Sequence, residues 1–223
     1  MNLTGKRILM IGGSAGIDIA IKTQVQELGA EVSIYENLDT SVTEASLKEL
    51  VKSEGAFDGV VFAIVHSDFK PLQFVNPDNV RGIMNDNFEL FVEVMRSLKK
   101  AKGLNNGASV VAMSSISSIR AMKAKMAFCA SKAALDAAVR CLAVELADKG
   151  IRVNSVQKGG VDADLEKDHI QDITAINEGA TEKLTPLGLS KAEEVANVVA
   201  FLLSDAAKTI TGTAIVMDGG YTL

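Results

Sequence analysis

The chain has 223 residues, 48% of them hydrophobic, so it can bury one sizeable core, and we expect a single domain spanning residues 1–223. Its formal net charge of −5 leaves no surplus of Lys and Arg to neutralise a phosphate backbone, which argues against nucleic acid as a partner. No apolar stretch approaches the ~18 residues that cross a bilayer, and the N-terminal residues lack a signal-peptide pattern, so we expect a cytoplasmic protein with no membrane partner.

Residues 1–36 have the pattern of a strand, a glycine turn, a helix and a second strand. Residues 7–11 form a short apolar run, and Gly12-Gly13-Ser14-Ala15-Gly16 follows at once. Apolar residues at helical spacing then begin at Ile17, and residues 31–36 form another strand-like run. This order predicts a βαβ unit and therefore allows a parallel sheet.

The segment after Glu36 is short for a doubly wound dinucleotide fold. Residues 37–43 lead directly into a predicted helix that contains Leu47 and Leu50. The helix and much of the strand that usually intervene are therefore predicted to be missing. Residues 58–65 then form a buried strand.

The rest of the chain alternates helices with strands. Predicted helices cover about 82–102, 126–148 and 193–203, and predicted strands cover 108–113, 151–156 and 214–217. The alternation predicts an α/β fold with a doubly wound, mostly parallel sheet flanked by helices.

The two cysteines, Cys129 and Cys141, fall in one predicted helix. They are about 18 Å apart along its axis, too far for a mutual disulfide. Neither has metal-ligating residues beside it in the sequence, so we expect buried thiols and predict no metal site.

A Ser, an aromatic residue and a Lys stand at a spacing found in a known enzyme family. Ser115 precedes Phe128 by thirteen positions, Lys132 follows four positions later, and small residues fill the helix around them. This segment resembles the active-site segment of the short-chain dehydrogenase/reductase family, in which position 128 is a Tyr. The glycine turn and the C-terminal Asp218-Gly219-Gly220 also resemble family motifs, so the resemblance spans nearly the whole chain.

The resemblance implies roles for four residues. In the family, the Ser holds the substrate oxygen, the Lys lowers the pKa of the Tyr and binds the nicotinamide ribose, and an Asn holds a water in the proton relay. These roles fall on Ser115, Lys132 and Asn87, with Phe128 at the position of the Tyr. Phenylalanine has no proton to exchange, and loss of a general acid typically slows a reaction ~10²–10⁴-fold. Water, His66 or Ser115 would then have to supply the proton.

Each of these residues also has an ordinary structural explanation. Lys132 is spaced to pair with Asp136 one helical turn later. Ser115 could end a strand, Asn87 could lie on a helix surface, and His66 could be an exposed loop residue. Their joint placement in the family pattern favours the functional interpretation for Ser115, Asn87 and Lys132.

The resemblance also implies a dinucleotide cofactor. Glycines after a strand let the backbone approach a pyrophosphate at the N-terminus of the next helix. Glu36 ends the second strand, where a carboxylate accepts hydrogen bonds from ribose hydroxyls and repels a 2′-phosphate, so NAD is favoured over NADP; the alternative is a solvated carboxylate. The implied cofactor contacts are Gly12, Ser14, Gly16, Ile17, Glu36, Lys132, Gly159 and Val161.

Other positions depart from the family pattern. Asp18 replaces the third glycine of the turn and adds bulk and negative charge near the phosphate position. Residues 62–65 replace an Asn-Asn-Ala-Gly motif, and Lys158 replaces a Pro behind the nicotinamide. Lys158 is either a contact for an anionic ligand or an exposed surface lysine. The polar residues 162–182 occupy the position of the family's substrate lid.

Two functional hypotheses follow. Ser115 and Lys132 indicate an atypical NAD(P)-dependent oxidoreductase acting on a small-molecule carbonyl or alcohol. Phe128 and Asp18 indicate instead a noncatalytic member of the family that serves as a binding or assembly subunit, since a fold alone does not decide function. Because family members commonly assemble through their two long helices, we expect a homo-oligomer, either a dimer or a tetramer.

Overall fold

The computed structural model describes residues 1–13, 16–35, 44–160 and 185–223. The implied cofactor positions Ser14, Glu36 and Val161 lie outside the described residues, as does the polar segment 162–182. The remaining residues to which the sequence assigns catalytic or cofactor roles lie within them.

Six strands form one sheet in which every neighbouring pair is parallel. The strands are β1 (Arg7–Ile11), β2 (Glu31–Tyr35), β3 (Phe57–Phe62), β4 (Leu104–Ser115), β5 (Arg152–Lys158) and β6 (Ala214–Met217). Their order is β2-β1-β3-β4-β5-β6, so after β2 the chain crosses back over β1 and adds the later strands on its other side. The predicted doubly wound parallel sheet is confirmed.

Helices cover both faces of the sheet. Within the described ranges they are α1 (Gly16–Glu27), α2 (Glu44–Glu54), α3 (Pro77–Met84), α4 (Leu90–Lys100), α5 (Met126–Glu145) and α6 (Ala192–Leu203). Ile21 of α1 and Val199 of α6 pack on one face, in the same core cluster as Met10. Helices α2, α4 and α5 pack on the other face, in the same core cluster as Leu9. Because both faces are buried, the strands read as uninterrupted apolar runs.

The sheet is short on the side of β2. Only residues 36–43 separate the end of β2 from the start of α2, and among the described residues no strand pairs with the outer edge of β2. A crossover to a further parallel strand needs a dozen or more residues. The described part of the chain therefore agrees with the deletion predicted from the sequence.

The helix predicted over 82–102 is interrupted. Helix α3 is capped by Asn76, whose side chain accepts a hydrogen bond from the Asn79 N–H. The helix ends where a π-helical turn, Asn85–Glu89, leads into α4. Asn87 lies in this turn, and its Nδ2 donates a hydrogen bond to the Ile83 carbonyl at 3.1 Å. Side chains that insert into the helical hydrogen-bond ladder are a known cause of such bulges.

Two strand boundaries also differ from the prediction. Strand β3 ends at Phe62 rather than Val65, and at His66 the backbone bonds to the Asn87 side chain. Strand β4 begins at Leu104 rather than 108, and its register with β3 shifts between Leu104 and Ser109. Gly107 has φ +80° there, a conformation that suits glycine.

The expectation of two buried thiols is wrong. Cys129 is half-buried and Cys141 is exposed. Both lie on α5, which is apolar around most of its circumference, so hydrophobic sequence alone does not reveal which face is buried. Despite its length and apolarity, neither α5 nor any other described helix meets the requirements for spanning a bilayer.

Candidate active site

Ser115 lies at the carboxyl end of β4, directly beside the end of β5. It pairs with Lys158 in the strand register and begins a short 3₁₀ turn, Ile116–Ser118. Its Oγ accepts a hydrogen bond from the Ser117 N–H at 3.1 Å and lies 3.1 Å from the Ser117 Oγ. Ser115 is therefore the last residue of a strand, as its ordinary structural explanation predicts. The carboxyl edge of a doubly wound sheet is also where ligands bind in this architecture.

Lys132 is fully buried on the sheet-facing side of α5. Its Nζ donates hydrogen bonds to the Met113 carbonyl at 3.0 Å and the Ile64 carbonyl at 3.4 Å, near the ends of β4 and β3. Burial, together with the charge of Lys158, lowers the pKa of this ammonium to about 7, although Asp136 opposes the shift. Lys132 is thus a desolvated amine that titrates near neutrality at the edge of the sheet.

The predicted pairing of Lys132 with Asp136 is wrong. Asp136 is itself buried, and its two carboxylate oxygens accept hydrogen bonds from the Ser155 hydroxyl and the Gln157 amide, each at 2.7 Å. Both donors come from β5. Lys132 and Asp136 are therefore bound to different strands, and their helical spacing does not place them on an exposed surface.

Phe128 is buried at the start of α5. It packs with Ile83 and Ala127, and 4% of its surface is exposed. Its ring centroid lies 5.4 Å from the Nζ of Lys125 and 5.8 Å from the Nζ of Lys132. Two ammonium groups within cation–π range make the surroundings of this ring electropositive. The position of the family Tyr is therefore inside the site, without a hydroxyl group.

Asn87 is fully buried, so the helix-surface explanation is wrong for it. Its Nδ2 donates to the His66 carbonyl at 2.6 Å as well as to Ile83, and its Oδ1 accepts from the His66 N–H at 3.0 Å. One amide side chain thus ties the π-helical turn to the segment that follows β3. Its role in the described structure is to position that segment.

His66 has a carboxylate partner. Its side chain is 49% exposed, as expected for a loop residue, and its Nδ1 lies 2.6 Å from an Asp86 carboxylate oxygen. Since Asn87 fixes the His66 backbone and Asp86 contacts the ring, the imidazole is held beside the site. The ring nitrogen Nε2 is the atom that remains for proton exchange.

The glycine turn between β1 and α1 requires glycine. Gly12 and Gly13 have φ of +96° and +129°, and a Cβ on Gly13 would lie 3.2 Å from Ile34. Gly16 starts α1 and Ile17 is buried in the core behind the turn. These features leave a bare backbone at the N-terminus of a twelve-residue helix, which suits an anionic ligand.

Asp18 places a carboxylate in the first turn of that helix. Partial burial raises its pKa to about 6, while a hydrogen bond from the Gly13 backbone and the positive charge of Lys158 act in the opposite direction. Gly159, just beyond β5, packs so closely on Asp218 that a Cβ would lie 2.8 Å from the Asp218 Cβ. The small size of Gly159 is therefore needed for packing against the end of β6, whether or not it also contacts a cofactor.

The described residues fit a dinucleotide in two respects. The glycine turn allows close backbone approach, and Lys132 presents a buried ammonium near the carboxyl ends of β3 and β4. Asp18 opposes the fit, because its carboxylate adds negative charge where a phosphate would meet the amides of α1.

Lys125 is a site residue that the sequence analysis missed. It is buried, and its Nζ lies 3.2 Å from the Ser67 Oγ as well as near the Phe128 ring. The preceding residue, Ala124, has a positive φ of 61° and accepts a hydrogen bond from the Lys70 N–H at 2.8 Å. The spacing of 125, 128 and 132 along one helical face is the signal that would have identified it.

Comparisons with known proteins point to one family. The family model described as Enoyl-(Acyl carrier protein) reductase matches residues 13–222. The chain is 32% identical over 212 residues to 1-cyclohexenylcarbonyl-CoA reductase of Streptomyces collinus, covering 92% of this chain and 75% of that protein. It is 30% identical over 247 residues to a 3-oxoacyl-[acyl-carrier-protein] reductase of Rickettsia felis, covering 99% and 98%.

Solved structures agree in fold. A short-chain dehydrogenase family protein from Francisella tularensis superimposes with a TM-score of 0.86 at 26% identity, covering 97% of this chain and 98% of that one. A gluconate 5-dehydrogenase from Burkholderia cenocepacia, solved with NADP and tartrate, has a TM-score of 0.87 at 21% identity, covering 99% and 96%. At that identity, the second likeness concerns the fold alone.

Proposed function

Because the chain belongs to the short-chain dehydrogenase/reductase family, we propose that it binds a nicotinamide dinucleotide and interconverts a small-molecule carbonyl and alcohol. The observation that carries this proposal is the buried Lys132 ammonium, bonded to carbonyls at the ends of two central strands. Burial of a lysine lowers its pKa and costs free energy, and titratable groups perturbed in this way cluster at functional sites. The named relatives are reductases, which supports the same reaction class.

The chain's own residues would orient the reactants. The Ser115 hydroxyl, at the end of β4, would hold the substrate oxygen by a hydrogen bond. Lys132 would bind the ribose of the dinucleotide with the donor capacity left after its two carbonyl contacts. Asn87 would keep the segment after β3 in place. When bound, the reduced dinucleotide supplies a hydride to the carbonyl carbon.

The carbonyl oxygen must also receive a proton, and Phe128 has none to give. Water, His66 and Ser115 are the donors proposed from the sequence. The His66 ring supports its candidacy, because Asp86 holds Nδ1 and leaves Nε2 to exchange a proton. Without the family Tyr, we expect slow turnover rather than the full family rate.

A titration with NADH and NADPH, followed by cofactor fluorescence, tests the proposal. Binding is expected, and Phe128→Tyr should raise activity on generic ketones. If neither dinucleotide binds at millimolar concentration, the oxidoreductase function is wrong. If they bind but Phe128→Tyr gives no gain, the site is not simply a reductase site that lacks its proton donor.

The alternative function is that of a noncatalytic homologue acting as a binding or assembly subunit. The buried, hydroxyl-free Phe128 and the carboxylate of Asp18 support it. Absence of dinucleotide binding together with a stable assembly would favour this alternative over the first.

We propose NAD rather than NADP as the preferred dinucleotide, on the basis of Glu36 at the end of the second predicted strand. A carboxylate there repels a 2′-phosphate. The expected result is tighter binding of NADH than of NADPH, with a smaller difference in Glu36→Gln. Equal affinities would overturn the preference.

We further propose a homo-oligomer that buries the outer face of α5. Val144 on this helix is 81% exposed, and Cys141, one turn earlier, is also exposed. Apolar side chains in such positions favour association. Sedimentation at micromolar concentration should give a dimer or tetramer, and a monomer would contradict the proposal.

A further inference from the structure

The carboxylate of Asp18 lies in the first turn of α1. The backbone N–H of Gly13, in the turn that precedes the helix, lowers the pKa of this carboxyl by hydrogen bonding. Backbone amides at a helix N-terminus are the groups that bind phosphates in proteins. The protein therefore holds an anion of its own at this position.

Lys158, the last residue of β5, lies on the same side of the sheet as α1. Ser155 and Gln157 point to the α5 side of the sheet, where they bond to Asp136. Val156 points to the other side and packs in the core cluster that contains Ile17. Because side chains alternate along a strand, Lys158 points to the α1 side as well.

The electrostatics agree with this geometry. The positive charge of Lys158 lowers the pKa of Asp18, although burial outweighs it, and the same charge lowers the pKa of Lys132. Lys158 therefore lies within electrostatic reach of both groups. It provides a countercharge for a carboxylate that the surrounding protein otherwise disfavours.

We propose that Asp18, held at the α1 N-terminus by Gly13 and Lys158, is a built-in competitor for the phosphates of a dinucleotide and sets its affinity. The inference rests on the proposed function, since it assumes that a dinucleotide enters this crevice. A phosphate that approaches α1 must displace the carboxylate from the Gly13 amide or share the crevice with it. Like charges at that range repel strongly because water is partly excluded.

The test compares Asp18→Asn with the wild type and with Glu27→Gln. Asp18→Asn keeps the shape of the side chain and removes its charge. Glu27→Gln removes one charge from the exposed far end of the same helix, so it controls for net charge. Dissociation constants for NADH and NADPH are measured by fluorescence at fixed ionic strength. Asp18→Asn should bind both roughly tenfold more tightly, and Glu27→Gln should bind like the wild type.

Each outcome decides between the two claims. If the wild type binds and Asp18→Asn binds no tighter, the competitor role is wrong and the oxidoreductase proposal stands. If the wild type fails to bind and Asp18→Asn binds, the competitor role is supported and the wild-type protein is not a dinucleotide enzyme. If neither binds at millimolar concentration, both claims are overturned.

A second measurement tests the contribution of Lys158 without any ligand. The Asp18 carboxyl is titrated by NMR in the wild type and in Lys158→Met. Loss of the countercharge should raise the pKa of Asp18 above its wild-type value. An unchanged pKa would show that Lys158 does not hold the carboxylate, and would overturn that part of the proposal.

Discussion

The Phe128 ring centroid lies 5.8 Å from the Nζ atom of Lys132, which follows it by one helical turn on α5. The Nζ of Lys125 lies 5.4 Å from the same centroid. Position 128 therefore combines an apolar side chain with a strongly positive environment. Such an environment suits the anionic phenolate of a tyrosine better than the uncharged ring of Phe128.

A tyrosine at position 128 should be unusually acidic. In Phe128→Tyr we expect a phenol pKa below the usual value of ~10, because the ammonium group of Lys125 favours the phenolate. Lys132, with a pKa of about 7, is largely uncharged in the pH range of this titration. The difference in ultraviolet absorbance between the variant and the wild type, followed against pH, isolates this phenol from Tyr35 and Tyr221. Adding Lys125→Met should move the pKa back up. A phenol that titrates at or above ~10 would contradict the electropositive environment.

The burial of Lys132 should make stability depend on pH. Its folded pKa of about 7 lies below that of an unfolded lysine, near ~10.4. Between these values the unfolded chain binds a proton that the folded protein does not, so the free energy of unfolding rises with pH. The rise is up to about 1.4 kcal/mol for each pH unit.

Urea denaturation of the wild type and Lys132→Met at several pH values from 7 to 9 measures this slope. Lys132→Met should lack this increase in the free energy of unfolding with pH. Lys123→Met, which removes an exposed charge, should show the same increase as the wild type. Parallel curves for the wild type and Lys132→Met would mean that the lysine is not desolvated.

Loss of the Asn87 amide should be costly. Asn87→Ala leaves the buried Ile83 carbonyl and the partly buried His66 backbone groups without their partner, so we expect a loss of about 2–4 kcal/mol. Asn85→Ala, an exposed position in the same π-helical turn, should change stability by less than about 0.5 kcal/mol. Chemical denaturation of both variants gives the comparison, and similar losses would refute a specific role for Asn87.

The Ser114 hydroxyl is buried and has no hydrogen-bond partner among the described residues. Ser114→Ala removes this unpaired group, so stability should rise by about 1 kcal/mol. Ser109→Ala is the matched control on the same strand, because the equally buried Ser109 hydroxyl donates to the Leu202 carbonyl at 2.7 Å. That control should lose about 1 kcal/mol. A loss in both variants would show that Ser114 has a partner.

The sheet was predictable because its strands are apolar runs bounded by turns, a pattern that depends only on neighbouring residues. The π-helical turn was not, since it depends on Asn87 meeting the His66 backbone from another part of the chain. For the same reason the i,i+4 spacing of Lys132 and Asp136 suggested a pair that does not form. Each residue instead bonds to a different strand, and such long-range contacts leave no local pattern.

The extra residue in the π-helical turn gives the two helices beside it different phases. One residue corresponds to ~100° of helical rotation. The apolar face of α4 is therefore rotated by about a quarter of a circle relative to that of α3. Before the slip, Ile83 meets Phe128 on α5; after it, Phe91 and Leu98 meet the sheet. Deleting Asp86 would bring the two helices back into one helical phase, so that either the contact with Phe128 or the contact with the sheet would be lost. The inserted residue therefore allows the same stretch of chain to line the site and to fill the core.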